Sequence, residues 1–170
     1  MDTQAAAILA MSLNFATLIV LALWLFAPWA NRVNIVAAIA PLVILHTGRT
    51  IALQLFSSQA NGYEIPDAIR DQIAWGDQIG FLLAFLAMLA LWLRPQLAKL
   101  LVWLLVVATV LDLTNALIGG LRHELLGKAT DVSWIILTFY VPMLWVSTGL
   151  MVWLLLTRRD ETWTPLMGKS

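Results

Sequence analysis

Five apolar runs dominate the sequence, and each is long enough to cross a lipid bilayer as one helix. They lie at about 5–28, 33–56, 73–93, 98–121 and 132–157. A hydrocarbon core about 30 Å thick takes roughly 20 helical residues. A helix satisfies its own backbone N–H and C=O groups in lipid, which an open strand cannot do. The sequence therefore predicts an all-α fold, in which residues 1–157 form one five-helix transmembrane bundle.

The composition agrees with a membrane protein and excludes several other classes of function. Hydrophobic residues make up 61% of the chain and charged residues 12%, whereas soluble domains carry about 25% charged residues. The net charge is zero and no basic patch is present, so we expect no nucleic-acid partner. The chain has no cysteine, which excludes disulfides, thiolate metal sites and thiol–disulfide exchange.

The positions of Lys and Arg predict an orientation. Connecting segments rich in Lys and Arg stay in the cytoplasm. We therefore expect the N-terminus outside, the C-terminus in the cytoplasm, and residues 158–170 as a short, mobile cytoplasmic tail. This arrangement fits the cytoplasmic membrane of a bacterium, with the lipid bilayer as the surroundings. One side of the predicted bundle holds Arg32, Arg94, Lys99, Arg158, Arg159 and Lys169, and the other holds Arg70, Arg122 and Lys128.

The longest predicted connection covers residues 57–72. Asn61 and Gly62 are typical of a turn, and Pro66 followed by Asp67 suits the first turn of a helix. The pattern is compatible with a short interfacial helix that covers the outer side of the bundle. A plain solvated connector fits it equally well.

Polar side chains inside the runs gather at one predicted depth. With a rise of about 1.5 Å per helical residue, all five helices contribute to a band in the outer half of the bundle. These residues share helix faces with small residues, which indicates that they point into the bundle rather than at lipid. The candidate ligand-binding set is His46, Arg49, Asp77, Asp112, Asn115, Tyr140 and Asn14.

Arg49 is the member of this set that most needs a partner. An arginine at the centre of a membrane helix costs about 2.5–3.5 kcal/mol or more unless it is paired or reaches water. We predict an ion pair with Asp112, whose estimated height is within a turn of that of Arg49. We expect Asp77, which lies nearer the outer surface, to pair with Arg49 or with His46. His46 can supply a second positive charge in this layer.

Several functions fit such a layer. It could bind a small polar or amphiphilic ligand from the outer side, with Arg49 as the anchor and residues 57–72 as a roof. It could instead fix helix packing in a structural or accessory subunit, within a homo-oligomer or beside a partner membrane subunit. A small proton-coupled transporter is a third alternative. One His beside an Arg does not favour a metal site, so we expect neither metal nor cofactor. No pattern assigns a catalytic residue, and enzymatic activity stays undecided.

Short motifs around the same polar residues carry a resemblance. They are Leu45-His46-x-x-Arg49, Gly76-Asp77, Leu111-Asp112-x-x-Asn115 and Tyr140-x-Pro142. Over roughly residues 30–155 the chain resembles an uncharacterised family of small bacterial multi-span membrane proteins. The resemblance implies a bacterial membrane protein and supports this choice of residues. The family brings no assigned activity.

Overall fold

In the computed structural model, residues 1–164 are described, and they form helices joined by short turns. The five long helices are α1 (Thr3–Ala30), α2 (Ile35–Ala60), α3 (Asp67–Leu93), α4 (Pro95–Arg122) and α5 (Asp131–Thr157). Each is long and apolar enough to cross a membrane. One short helix, Leu125–Lys128, lies between α4 and α5. The predicted all-helical fold with five long apolar helices is confirmed.

The connection between α2 and α3 is shorter than the predicted 57–72. The first of these helices continues to Ala60 and the second begins at Asp67. Pro66 precedes that start as expected, but the helix it introduces is α3 itself. The separate interfacial helix is therefore absent from the described residues. Hydropathy marks only the apolar part of each helix, whereas backbone hydrogen bonding continues through the polar residues that follow.

Four of the long helices enclose a common interior, and α1 lies outside it. Helix α3 packs against α2 and α4, and α5 packs against the same two helices. Helix α1 packs on α5 and on the short helix. Within its most apolar stretch 11% of the residues are buried, against 28–50% in the other four helices. The sequence predicted that all five helices contribute to the polar band, whereas α1 lies outside the interior that the other four helices enclose.

The interior contains two apolar clusters. The larger one joins α2, α3, α4 and α5 and includes Ile39, Leu105 and Met151, all fully buried. The smaller one lies where the α2–α3 connection meets the short helix, and it includes Tyr63 and Leu125. Along α2, α3 and α5, the polar residues of the candidate site fall between residues of these two clusters.

A widened turn in α5 explains the position of Asn14. The turn Ile136–Tyr140 is π-helical and directly precedes Val141 and Pro142. Proline has no N–H to donate to the carbonyl four residues earlier, which here belongs to Thr138. The Asn14 side chain of α1 donates to that carbonyl at 3.0 Å. Asn14 therefore fastens α1 to α5.

The first residues of the predicted tail pack against the bundle. The Arg158 guanidinium donates to the backbone carbonyls of Ala30 and Val33 at 2.8 Å each. The Glu161 carboxylate accepts the N–H of Ile35 at 2.8 Å, at the start of α2. A mobile tail that begins at Arg158 is thus the wrong description of this segment. The rest of the predicted tail lies outside the described residues.

Candidate functional site

Arg49 is the centre of the polar site, and its guanidinium is fully buried. Its Nε donates to Oδ1 of Asp77 at 2.6 Å, and one terminal nitrogen forms an ion pair with Asp112. The other terminal nitrogen donates to the Thr109 hydroxyl at 2.8 Å. The predicted Arg49–Asp112 pair is therefore present, and of the two partners expected for Asp77 the structure has Arg49. One cation ties α2 to α3 and α4.

Two glycines of α3 make room for these charges. A Cβ on Gly80 would lie 2.6 Å from the guanidinium carbon of Arg49, and one on Gly76 would overlap the Asp112 carboxylate. Arg49 itself lies in a stretch of 3-10 helix, Gly48–Leu53, within α2. The ion pairs therefore depend on bare backbone on the facing helix, so that charged groups and α3 approach closely.

His46 belongs to the same network, and its two ring nitrogens lie next to hydroxyl groups. Its Nε2 lies 3.0 Å from the Ser147 hydroxyl, which donates in turn to the Leu144 carbonyl. Its Nδ1 lies 3.5 Å from the Thr109 hydroxyl, which already accepts from Arg49. If the imidazole is neutral with its hydrogen on Nε2, then Nε2 donates to the Ser147 hydroxyl and the Thr109 hydroxyl donates to Nδ1. This hydrogen-bond arrangement therefore does not require the second positive charge that was expected from His46.

The remaining predicted site residues are placed differently. The Tyr140 hydroxyl donates to the Leu45 carbonyl at 3.1 Å, beside the network. Asn14 binds the π-helical turn of α5 and lies apart from the site. Asn115 is exposed, because the buried face of α4 runs through Thr109 and turns away from Asn115. Although Asn115 follows Asp112 by only three residues, the two side chains do not share the inner face of α4.

Two hydroxyl residues complete the network, and the candidate set omitted both. Thr109 links Arg49 to His46, and Ser147 holds the other side of the imidazole. Thr109 precedes Asp112 by three residues on α4, which is a signal for a shared face. Hydroxyl residues are common in packed membrane helices, so this spacing alone did not separate a site residue from an ordinary packing residue.

A cavity of about 90 Å³ lies next to the ion pairs, between α3, α4 and α5. Its aliphatic walls include Leu113, Ala116 and Leu144. Arg49 does not line it, because the aspartates cover the guanidinium. The side chains with oxygen atoms that line the cavity are Asp77, Asp112, Tyr140 and Tyr63.

The connection between α2 and α3 covers this cavity. Tyr63 is 2% exposed, lines the cavity and belongs to the smaller apolar cluster. Its hydroxyl donates to the Leu125 carbonyl of the short helix at 3.4 Å. Burial raises the pKa of Tyr63 to about 12, so the phenol keeps its proton at neutral pH. Two connections therefore close this end of the bundle together.

The side chains that are present and the comparisons with known proteins both bear on which function can be assigned to this site. Within residues 1–164, no three His, Cys, Asp or Glu side chains come together as a metal site would require. A family model described as a domain of unknown function, DUF8737, matches residues 6–156. No curated protein and no solved structure matches the chain.

Proposed function

The chain belongs to the DUF8737 family, and because that family has no known function, we propose one from the site itself. We propose that this is an integral membrane protein that binds a small amphiphilic ligand in the cavity beside the Arg49 ion pairs. The observation that carries the proposal is an apolar cavity with a few polar groups on one wall. Ligand sites in proteins have this composition.

The size of the cavity restricts the ligand. Drug-sized ligands occupy pockets of about 300–1,000 Å³, and benzene fits an engineered cavity of about 150 Å³. The cavity here is about 90 Å³. It therefore suits a group of a few heavy atoms, either as a small free molecule or as one end of a larger amphiphile.

Arg49 is not the anchor that contacts this ligand. Its guanidinium is fully buried and already donates to Asp77, Asp112 and Thr109. The carboxylates are the accessible charges, since the side chains of Asp77 and Asp112 are 12% and 14% exposed. Arg49 acts as a support that holds both acids at the cavity wall.

A thermal-unfolding experiment in detergent tests ligand binding. The probes are n-butanol, n-butylammonium and butyrate, which share a four-carbon chain and differ in the polar group. We expect at least one of them to stabilise the protein, by about 1.4 kcal/mol at ten times its dissociation constant. Ala116→Leu places a larger side chain in the cavity, and it should abolish the stabilisation while the protein stays folded.

The matched control is Leu111→Phe. Leu111 is 61% exposed, lies on the same helix as Ala116 and is not part of the cavity lining. This variant should respond to the probe as the parent protein does. Absence of stabilisation by all three probes, or an unchanged response in Ala116→Leu, would contradict the proposal.

One observation favours a second candidate, an accessory subunit in which the network serves packing alone. The Arg49 guanidinium donates to three protein acceptors, including both carboxylates that balance its charge, as expected of a group that serves helix packing. In that case the protein would purify in a fixed ratio with a partner subunit. The four-carbon probes would then have no effect on its unfolding.

We also propose an orientation, with the N-terminus outside and the C-terminus in the cytoplasm of a bacterium. Support comes from the end of the bundle that carries Arg158, where Lys99 donates to the Arg159 carbonyl. This end also carries Arg32 and Arg94 in the two connections beside it. A cysteine placed at Gln4 should react with an impermeant maleimide on intact cells, whereas one at Thr162 should react only after lysis. The reverse pattern would invert the orientation.

A further inference from the structure

The oxygen atoms of the cavity face it as hydrogen-bond acceptors. Asp77 and Asp112 are carboxylates, and Oδ1 of the first and Oδ2 of the second already accept from Arg49. The hydroxyl proton of Tyr140 goes to the Leu45 carbonyl, and that of Tyr63 goes to the Leu125 carbonyl. Both phenols therefore present only lone pairs to a ligand.

The charge at the cavity wall favours the same kind of ligand as its hydrogen-bond acceptors do. Two carboxylates meet one guanidinium at this wall, which leaves one negative charge uncompensated when both acids are ionised. Among residues 1–164, no Lys, Arg or His lines the cavity, and the single side-chain N–H donor in the lining is the indole of Trp145. His46, the nearest other titratable group of the network, is bonded to hydroxyls.

Asp77 holds an oxygen that the protein leaves unused. The residue is 9% exposed and lines the cavity. Its Oδ1 accepts from Arg49, while its Oδ2 has no hydrogen-bond donor among the described residues. Because this oxygen is not completely buried, it can accept a hydrogen bond from a donor that enters the cavity.

We infer that the ligand carries a protonated amine, which lies against Asp77, Asp112 and the Tyr140 hydroxyl, with its alkyl part among the aliphatic walls. This inference rests on the proposed function and adds the chemistry of the ligand. An ammonium group has three donors and no acceptor, which complements a wall of acceptors. It also supplies the missing positive charge. The source is an aminolipid head group or a free alkylamine, which share this chemistry.

The four-carbon probes distinguish the polar group. At equal ionic strength, n-butylammonium should bind about tenfold more tightly than n-butanol. A charge-assisted hydrogen bond strengthens binding by about that factor relative to a neutral one. Butyrate should be the weakest of the three. Asp77→Asn should reduce the preference for ammonium over alcohol to about twofold or less. The readout is the ratio of two affinities in one variant, so a general loss of stability does not imitate the effect.

Tyr140→Phe gives an independent variant if Asp77→Asn does not fold. It removes one acceptor and keeps both carboxylates, so the preference should fall by a smaller factor, about threefold. Competition of phosphatidylethanolamine with n-butylammonium in mixed micelles would assign the amine to a lipid. Absence of competition, with the preference retained, would assign it to a free alkylamine.

The outcomes separate this inference from the proposed function. Equal binding of alcohol and ammonium, abolished by Ala116→Leu, would overturn the amine and leave the ligand site standing. Tighter binding of butyrate than of ammonium would likewise overturn the amine. Absence of binding by all three probes would overturn both.

Discussion

The protein holds two arginines in opposite ways, one in the middle of the bundle and one at its end. Arg49 is fully buried and pairs with acids from two neighbouring helices. Arg158 has an 18% exposed side chain and pairs with Glu161, three residues further along the chain. Its other bonds go to the carbonyls of Ala30 and Val33 at the end of α1 and in the turn that follows.

The difference shows what each arginine needs from its surroundings. The Arg49 side chain is fully buried, so the stability of the bundle depends on the two acids being placed correctly around this charge. At Arg158 the acceptors are backbone groups near a helix end, which water can also satisfy. We therefore expect unequal consequences when either contact is removed.

The largest effect should follow the loss of Arg49. Arg49→Met keeps much of the volume but leaves Asp77 and Asp112 without their cation, which should cost about 3–5 kcal/mol. The triple variant Arg49→Met/Asp77→Asn/Asp112→Asn removes the charges together and should regain most of that loss. Unfolding titrations in mixed detergent measure both. Equal destabilisation of the single and triple variants would mean that unpaired charge is not the cause.

A smaller effect should come from the glycine that faces Arg49. In Gly80→Ala the new Cβ would lie 2.6 Å from the guanidinium carbon, so the ion pairs must shift, at a cost of about 2 kcal/mol. Gly149 is the matched control, since a Cβ there meets nothing within 4 Å. Gly149→Ala should be neutral or stabilising by up to about 1 kcal/mol. Equal effects at both positions would show that the close approach between Gly80 and Arg49 does not contribute to the free energy of unfolding.

The all-helical fold and the centre of the site could be predicted from the sequence because the five apolar runs are long and one of them contains Arg49. An apolar run of this length predicts a helix, and a charge within it predicts a partner. That argument identified Arg49 with Asp112, and the structure contains the pair. It depends on composition and helical rise, which the sequence gives directly.

The rest depended on side-chain directions that these rules do not contain. Asn115 has the right depth but lies on the exposed side of α4. Thr109 and Ser147 look like ordinary packing residues until the bonds to His46 are seen. The polar composition of the last residues favoured a mobile tail, yet Trp163 there is 7% exposed and belongs to the larger apolar cluster. Contacts between distant segments of the chain have no local signal.

The smallest effect should come from Arg158. Arg158→Ala removes the bonds to Ala30 and Val33 and should cost about 1 kcal/mol, because water replaces part of what a charge-assisted bond provides. The measurement is the same detergent titration, and the cost should fall at high salt. Arg159→Ala is the control, since that side chain is 76% exposed and pairs with the exposed Asp160, so it should change stability by less than about 0.5 kcal/mol. If Arg158→Ala cost as much as Arg49→Met, the end of the bundle would need its arginine as strictly as the interior does.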